Sequence, residues 1–320
     1  MGYKVILGVD EAGYGPNLGP LTMAATIWRV PVAMGEAEVL ECFSSTFKPR
    51  PWRANCQHLP LGDSKQLYSP STGLQSLEVG LLALLQLTGC RPRNLAELIE
   101  RVASLPLDNS LPPWYRGLDN LPTPQSPVEA GELDRLSALA NGALAKSQIT
   151  LLGMRAVIVP ARSFNAQLGT LHSKGFLLSQ NTLQLVAENL QYDEPAEIYC
   201  DRQGGRKNYL PLLADALPEE WFQETAISNA RCSYRNSRQP QRNIHFSVRG
   251  DTFPPTALAS MLAKYLRERF MHAFNQFWQS HLPQLKPTAG YPLDAKRFRA
   301  AIESTAARLQ LPVSDWWREK

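Results

Sequence analysis

Short continuous apolar runs alternate along the chain with helical stripes of apolar residues. Residues 4–9, Lys-Val-Ile-Leu-Gly-Val, are β-branched and short, which is typical of a buried strand, and residues 20–30 alternate as a second strand does. Further strands are predicted at 155–159, 197–200, 222–227 and 244–248, and helices at 72–87, 133–146, 177–190, 208–216 and 256–280. This mixture predicts an α/β protein.

A proline-rich stretch interrupts the regular pattern. Residues 105–127 contain six prolines and are predicted to form a loop or lid outside the core. A chain of 320 residues has room for one large domain or two modest ones. We expect a single domain over residues 1–320, with an insertion at about 90–150 that contains this stretch.

Composition excludes several classes of protein. With 44% hydrophobic and 19% charged residues, the chain is not of the intrinsically disordered type. No apolar window is long enough for a membrane span, and the first apolar run ends in Asp10 and Glu11, unlike a signal peptide. The five cysteines are widely spaced without a C-x-x-C pair, which argues against a disulfide framework or a zinc site. We therefore expect a cytoplasmic protein without membrane contact, and a monomer by default.

The net charge is +4, from 33 Lys and Arg against 29 Asp and Glu, and is too small to identify a partner. Its distribution is uneven, because residues 229–250 contain five arginines and no acid, with Tyr234 and Phe246 between them. Such a stretch can neutralise phosphates while its rings stack on bases. The alternative is a solvated hairpin whose arginines pair with acids elsewhere.

Four acids occupy similar positions at the ends of predicted strands. Asp10 and Glu11 end the first strand, Asp201 ends the strand at 197–200, and Asp251 follows the strand at 244–248. Acids that meet at one edge of a sheet repel one another unless a cation neutralises them, and Mg²⁺ or Mn²⁺ prefers such oxygen ligands. Two such ions can support phosphodiester hydrolysis. Ordinary turn residues at strand ends are the alternative.

Six segments in order resemble one family. Residues 8–20, Gly-Val-Asp-Glu-Ala-Gly-Tyr-Gly-Pro-Asn-Leu-Gly-Pro, are similar to the N-terminal signature of ribonuclease HII, the type 2 ribonuclease H family. The other five are Leu-Gly-Asp-Ser-Lys-Gln-Leu at 61–67, Ile-Tyr-Cys-Asp at 198–201, Val-Arg-Gly-Asp at 248–251, Ala-Leu-Ala-Ser-Met-Leu-Ala-Lys at 257–264 and Ala-Gly-Tyr-Pro at 289–292. Together they frame residues 1–70 and roughly 160–300.

The resemblance implies a ribonuclease H-like fold, with a central mixed sheet flanked by helices, and hydrolysis of the RNA strand in RNA–DNA hybrids. By the match, Asp10, Glu11, Asp201 and Asp251 hold Mg²⁺ or Mn²⁺ and are catalytic. The match also implies substrate-binding roles. Gly13 and Gly15 let backbone amides approach the ribose and phosphate, Ser64, Lys65 and Lys264 contact phosphate, and Tyr291 stacks on a sugar beside the cleavage point.

The substrate-reading parts depart from the family pattern. Tyr14 stands where the family has an arginine in its Gly-Arg-Gly loop, and a phenol lacks the charge and donor fork of a guanidinium. Thr288 and Ala289 replace a His-Lys pair, and residues 202–207 are longer and more basic than the usual turn. These changes predict altered recognition of RNA–DNA junctions.

Three hypotheses follow. The first is a metal-dependent endoribonuclease of the ribonuclease HII type that acts on hybrids or on duplexes with embedded ribonucleotides. The second is a related nuclease of different substrate range. The third is a non-catalytic nucleic-acid-binding protein on the same fold, against which the four acids argue, since negative charge facing phosphates weakens binding.

Overall fold

A twisted mixed sheet forms the centre of the computed structural model, which describes residues 2–69, 71, 73–104, 111–190 and 194–319. Its strands lie in the order β5-β2-β1-β6-β9-β8-β7. β1, β6 and β9 run parallel to one another, and the strands outside them pair antiparallel. The strands are β1 (Tyr3–Ala12), β2 (Leu21–Pro31), β3 (Phe47–Lys48), β4 (Leu59–Pro60), β5 (Thr150–Val159), β6 (Ala196–Asp201), β7 (Phe222–Ile227), β8 (Arg231–Asn236) and β9 (Arg242–Ser247), of which β3 and β4 form a separate pair.

Helices cover both faces of the sheet. They are α1 (Glu36–Ser44), α2 (Ser64–Leu67), α3 (Gln75–Leu85), α4 (Leu95–Val102), α5 (Glu132–Lys146), α6 (Ala161–Leu171), α7 (Lys174–Ala187), α8 (Leu210–Ala216), α9 (Pro254–His281), α10 (Pro292–Arg308) and α11 (Val313–Trp316). Buried residues of α3, α4, α5 and α9 cluster on one face, and those of α6, α7 and α8 cluster on the other. The predicted mixed sheet flanked by helices is confirmed.

Strand β1 owes its central place to side chains that are buried on both faces. Val5, Leu7 and Val9 pack toward α7, while Ile6 packs toward α9. Gly8 lies on the α9 side, where a Cβ atom would come within 2.1 Å of the Pro255 carbonyl carbon. The missing side chain therefore lets the first turn of α9 press directly against the sheet.

The proline-rich stretch is not the lid that its composition predicts. Residues 105–110 lie outside the described residues, but Trp114 and Tyr115 are buried in the main core. The Trp114 ring meets Phe274 of α9 at 5.5 Å between centroids, and Tyr115 meets Phe270 at 4.7 Å. Large rings gain free energy by leaving water, and prolines do not prevent this in an irregular segment. The single-domain organisation stays a prediction.

Several elements escape the sequence patterns. α1, α4, α6, β8 and α10 were not predicted, and β8 lies inside the arginine-rich stretch, whose charges mask its alternation. Within the described ranges no helix is long and apolar enough to cross a membrane.

Candidate active site

Adjacent parallel strands bring the predicted acids to one edge of the sheet. Val9 of β1 is paired with Cys200 of β6, so Asp10 and Asp201 come next to each other one position further along. Side chains alternate along a strand, so Asp10 follows Ile6 and Gly8 toward α9. Sheet topology therefore joins acids that are 191 positions apart in the sequence.

A close backbone contact brings the fourth acid to the same edge. The Gly250 N–H donates to Asp201 Oδ1 at 2.7 Å, and a Cβ atom on Gly250 would stand 2.9 Å from Asp201 Cα. Asp251 follows directly, in the single 3-10 turn that separates β9 from α9. A glycine at position 250 is thus required for Asp251 to lie beside Asp201.

Burial and mutual repulsion dominate the electrostatics of this edge. Burial, and after it the carboxylates of Glu11 and Asp201, raise the pKa of Asp10 well above its ordinary value. Burial and Asp201 raise the pKa of Glu11 to about 7. Burial also raises the pKa of Asp201, although the Gly250 N–H group opposes this. These groups titrate together, because each charge disfavours the next.

Asp63 is a fifth carboxylate at the site, and sequence reasoning missed it. Burial raises the pKa of Asp251 to about 6, with the charge of Asp63, the charge of Asp201 and a hydrogen bond to Asp63 acting in the same direction. Asp63 also caps α2, where its Oδ1 accepts from the Lys65 N–H at 2.8 Å. Asp63 lies in the 61–67 segment that resembles the family, so the sequence could have identified it. Only the serine and the lysine of that segment were predicted to bind substrate.

Lys65 brings a positive charge close to these carboxylates. Its ammonium charge lowers the pKa values of Glu11, Asp201 and Asp251, although burial and repulsion outweigh it. The side chain is exposed at the surface of α2. Lys65 is therefore close to the acids and open to solvent, as a residue that meets a phosphate must be.

Ser64 and Ser260 link α2 to Asp10. Ser64 is only 6% exposed, and its hydroxyl accepts from the Ser260 hydroxyl at 3.2 Å. A hydrogen bond between Ser260 and Asp10 works against the rise in the Asp10 pKa. The structure thus places Ser64 beneath the acids, and its contact with a phosphate stays a prediction.

Lys264 forms an ion pair with a residue of its own helix, α9. Its Nζ donates to Glu268 Oε1 at 2.8 Å and lies 4.5 Å from the centre of the Tyr68 ring. The Tyr68 hydroxyl also donates to Glu268, at 3.0 Å. The charge of Lys264 is therefore paired, and its predicted phosphate contact would have to compete with Glu268.

The glycine-rich loop after β1 lies against α9 at Gly13 and against α7 at Tyr14. Gly13 has a left-handed φ of +89°, and a Cβ atom there would approach Arg267 Nε at 2.6 Å, whereas Gly15 has open space around it. The Tyr14 ring packs below Lys174 at the start of α7, whose Nζ is 4.8 Å from the ring centre. Position 14 thus presents a half-buried aromatic ring.

The turn that carries Tyr291 is bonded to this loop. The Asn17 and Leu18 N–H groups both donate to the Gly290 carbonyl, at 2.8 and 3.3 Å. Tyr291 is 52% exposed, so its ring is not part of the core. One backbone contact therefore joins the two segments that the sequence predicted to bind substrate.

The arginine-rich stretch is mostly structural. Tyr234 and Phe246 are fully buried, so the expectation that they stack on bases is wrong. Arg231 pairs with Glu36 at 2.7 Å, and Arg242 forms a buried ion pair with Glu220. The alternation of β8 and β9 puts the rings inside, where they bury more apolar surface than on the exposed side.

A hard divalent cation fits the chemistry of the donor set. Asp10, Glu11, Asp201 and Asp251 offer only carboxylate oxygens, and burial together with repulsion among carboxylates raises their pKa values, a repulsion that a bound cation would relieve. As placed, no three Asp, Glu, His or Cys side chains of the described residues form a ready ligand set. Ion binding would therefore need these side chains to turn toward a common centre.

Comparison with known proteins gives structural similarities only. No protein-family model and no curated protein matches the chain. The ribonuclease H2 structure from Pyrococcus horikoshii is similar at 15% identity and a TM-score of 0.49, covering 98% of this chain and 92% of that one. For the ribonuclease HII of Archaeoglobus fulgidus, solved in a complex with PCNA, the identity is 14%, the TM-score 0.42 and the coverage 99% and 94%.

A third similar structure is Bst-RNase HIII in complex with Mn²⁺. Here the identity is 12% and the TM-score 0.44, with 98% of this chain and 66% of that chain covered.

Proposed function

We propose that this protein is a divalent-metal-dependent endonuclease of the ribonuclease H type, which hydrolyses the RNA strand of RNA–DNA hybrids. The observation that carries the proposal is the meeting of Asp10, Glu11, Asp201 and Asp251 at one edge of the sheet, from three separate segments. Their mutual repulsion costs stability, and such a cost is typical of a functional site.

The residues around the acids suit a nucleic-acid backbone. Lys65 would pair with a phosphate that approaches the acids, and Tyr291 offers an exposed ring for a sugar. Asp10, Glu11, Asp201 and Asp251 would hold Mg²⁺ or Mn²⁺. When bound, the metal would supply the positive charge that activates water and stabilises the leaving oxygen.

Tyr14 supports altered recognition of RNA–DNA junctions. Its hydroxyl can exchange a hydrogen bond with a ribose, but it supplies no charge for a phosphate. A charge-assisted hydrogen bond is worth about 1.5–3 kcal/mol, which corresponds to roughly a ten- to hundredfold difference in affinity. We expect Tyr14→Arg to raise cleavage of a duplex with one embedded ribonucleotide relative to a uniform hybrid. An unchanged ratio of the two cleavage rates would show that Tyr14 does not alter the recognition of junctions.

The non-catalytic alternative has one observation in its favour. Because Asp63 and Asp251 share a hydrogen bond and the acids do not stand as a ready ligand set, this edge can hold itself together by protonation instead of by metal. The two functions differ in Mn²⁺ binding, which calorimetry measures directly. A binder would take up no Mn²⁺ that depends on Asp251, so Asp251→Asn would leave the titration unchanged.

Digestion of a substrate panel tests the proposal. Purified protein with Mn²⁺ or Mg²⁺ is incubated with all-DNA, all-RNA, hybrid and single-ribonucleotide duplexes. Cleavage confined to the RNA strand of the last two is expected, and Asp10→Asn should abolish it. Asp215→Asn, an exposed aspartate on α8, is the matched control and should cleave normally. Cutting of all-DNA or all-RNA duplexes would favour a related nuclease of different substrate range, and no cutting of any duplex would overturn the proposal.

A further inference from the structure

The loop at Gly13–Pro16 rests on an arginine from the far end of the chain. Arg318 is 1% exposed, and its Nη2 donates to the Gly13 carbonyl at 2.6 Å and also to the Pro16 carbonyl. Its backbone holds Asn17 in addition, because the Arg318 N–H donates to the Asn17 carbonyl at 2.8 Å and the Asn17 side chain donates back at 3.1 Å. Arg318 is thus hydrogen-bonded to the loop at its start, at Gly13, and at its end, at Pro16 and Asn17.

This guanidinium is buried without an ion pair. Among the described residues no carboxylate pairs with Arg318, and its Nε and Nη1 atoms are buried with no hydrogen-bond partner. Its nearest ring is Phe164, at 5.0 Å from the guanidinium carbon. Burial of an unpaired charge costs free energy, so stability alone does not account for an arginine here. Apart from this ring, the contacts that its charge makes are the hydrogen bonds to the Gly13 and Pro16 carbonyls of the loop.

A second buried arginine lies against the same loop. Arg267 donates to the Ala289 carbonyl at 2.8 Å, and its Nε atom occupies the space that a side chain at Gly13 would need. Burial, and after it the nearby charge of Arg267, lower the pKa of Arg318 to about 9, which is still above neutral pH. Positive charge therefore lies beneath the loop although position 14 is a tyrosine.

We propose that Arg318 is a positioning residue, which holds the Gly13–Pro16 loop in the shape that receives a backbone phosphate of the nucleic acid. The Gly13 and Pro16 carbonyls are bound to Arg318, and the Tyr14 and Gly15 N–H groups between them have no acceptor in the described part of the chain. Consecutive free amides bind anions, and a fixed loop needs no reorganisation when the phosphate arrives. This role rests on the proposed nuclease function.

Three variants separate positioning from folding. Arg318→Met keeps an unbranched stem and removes the donors, while Arg318→Lys keeps the charge but cannot bridge two carbonyls as a guanidinium does. Arg308→Met, at the exposed end of α10, is the control. For each we would measure kcat and KM on the hybrid, Mn²⁺ affinity, and hydrogen exchange of the Tyr14 and Gly15 amides with and without inorganic phosphate.

Arg318→Met should lower kcat/KM at least tenfold with Mn²⁺ affinity unchanged, and Arg318→Lys should recover part of the loss. Phosphate should slow exchange of the Tyr14 and Gly15 amides in the wild type and in Arg308→Met, but not in Arg318→Met. If Arg318→Met does not fold, Arg318→Lys decides by the same measurements, with at least a threefold loss expected. Wild-type values of kcat/KM and exchange in a folded variant would overturn the inference.

The exchange experiment also separates this inference from the proposed function. If the wild type cuts no substrate, the nuclease proposal fails, yet phosphate protection that depends on Arg318 would still establish the loop as an anion site. If the wild type cuts hybrids and the Arg318 variants behave like it, the nuclease proposal survives and the positioning role is refuted.

Discussion

Replacement of Glu11 by glutamine should make the metal-free protein more stable at pH 8. Burial and the charge of Asp201 raise the native pKa of Glu11 to about 7, from an ordinary 4.5. At 1.36 kcal/mol per unit of pKa, this difference corresponds to about 3 kcal/mol of destabilisation once the residue is ionised in both states. Because the neighbouring acids titrate with it, about 3 kcal/mol is the upper limit.

Proton binding by Glu11 determines how the free energy of unfolding changes with pH. Between pH 4.5 and 7 the native Glu11 holds a proton that the unfolded chain has already released. Stability therefore falls as the pH rises through this window, and the full cost is present above pH 7. Glutamine does not ionise, so the Glu11→Gln variant lacks this fall. The two proteins should differ by about 1 kcal/mol or less at pH 5 and by up to about 3 kcal/mol at pH 8.

Urea denaturation in the presence of EDTA at pH 5 and pH 8 measures both differences. Glu303→Gln is the control, because Glu303 is an exposed residue of α10 in a loose 3.8 Å pair with Arg299, and such pairs contribute little. Addition of Mn²⁺ at pH 8 should stabilise the wild type more than Glu11→Gln, since bound cations favour the native state. Equal stability of wild type and Glu11→Gln at pH 8 would refute the claim that repulsion and burial strain this site.

Three further substitutions test the site and the fold. Asp10→Asn should lower cleavage by a factor of at least about 100, the scale of losing one electrostatic contributor, in single-turnover assays, and activity within tenfold of wild type would contradict its role. Gly8→Ala should destabilise by about 3 kcal/mol or more in thermal denaturation because its methyl group meets the α9 backbone at 2.1 Å, whereas Gly142→Ala on open helix surface should stabilise by up to about 1 kcal/mol. Arg242→Met should cost about 3–5 kcal/mol by leaving buried Glu220 without its partner, and a smaller loss would mean that Glu220 is solvated.

Much of the framework follows from local sequence patterns. The sequence alone predicts the strand β1 from its β-branched run and the helix α9 from its apolar stripe. It also predicts that four acids lie near strand ends, namely Asp10, Glu11, Asp201 and Asp251. Strand and helix periods and turn residues are short-range properties, so they can be recognised without knowledge of what packs nearby. The alternation of strands and helices predicts an α/β protein, whereas the mixed sheet flanked by helices is predicted by the resemblance of the six sequence segments to a known family.

Local patterns did not predict the buried segments in which charged residues or prolines accompany the apolar ones. The arginines at 231 and 235 hid the strand β8, and the prolines around Trp114 suggested a loop away from the core. In β8 the apolar side chains alternate with polar ones, and around Trp114 the aromatic rings stand among prolines. In both places the apolar side chains pack into the core. Which side chain is buried depends on the surface it meets, and the flanking sequence does not contain that surface.

By itself, then, the sequence identified several strands of the sheet, the long helix α9 and the four acids near strand ends. Only the tertiary structure decided which distant groups meet at the site: Asp63 with Asp251, Ser260 with Asp10, and Arg318 with Gly13. The members of each pair are far apart along the chain, and the meeting of two distant residues depends on how every intervening element packs. The charges of the site are therefore encoded locally, whereas their pKa values and partners are consequences of the fold.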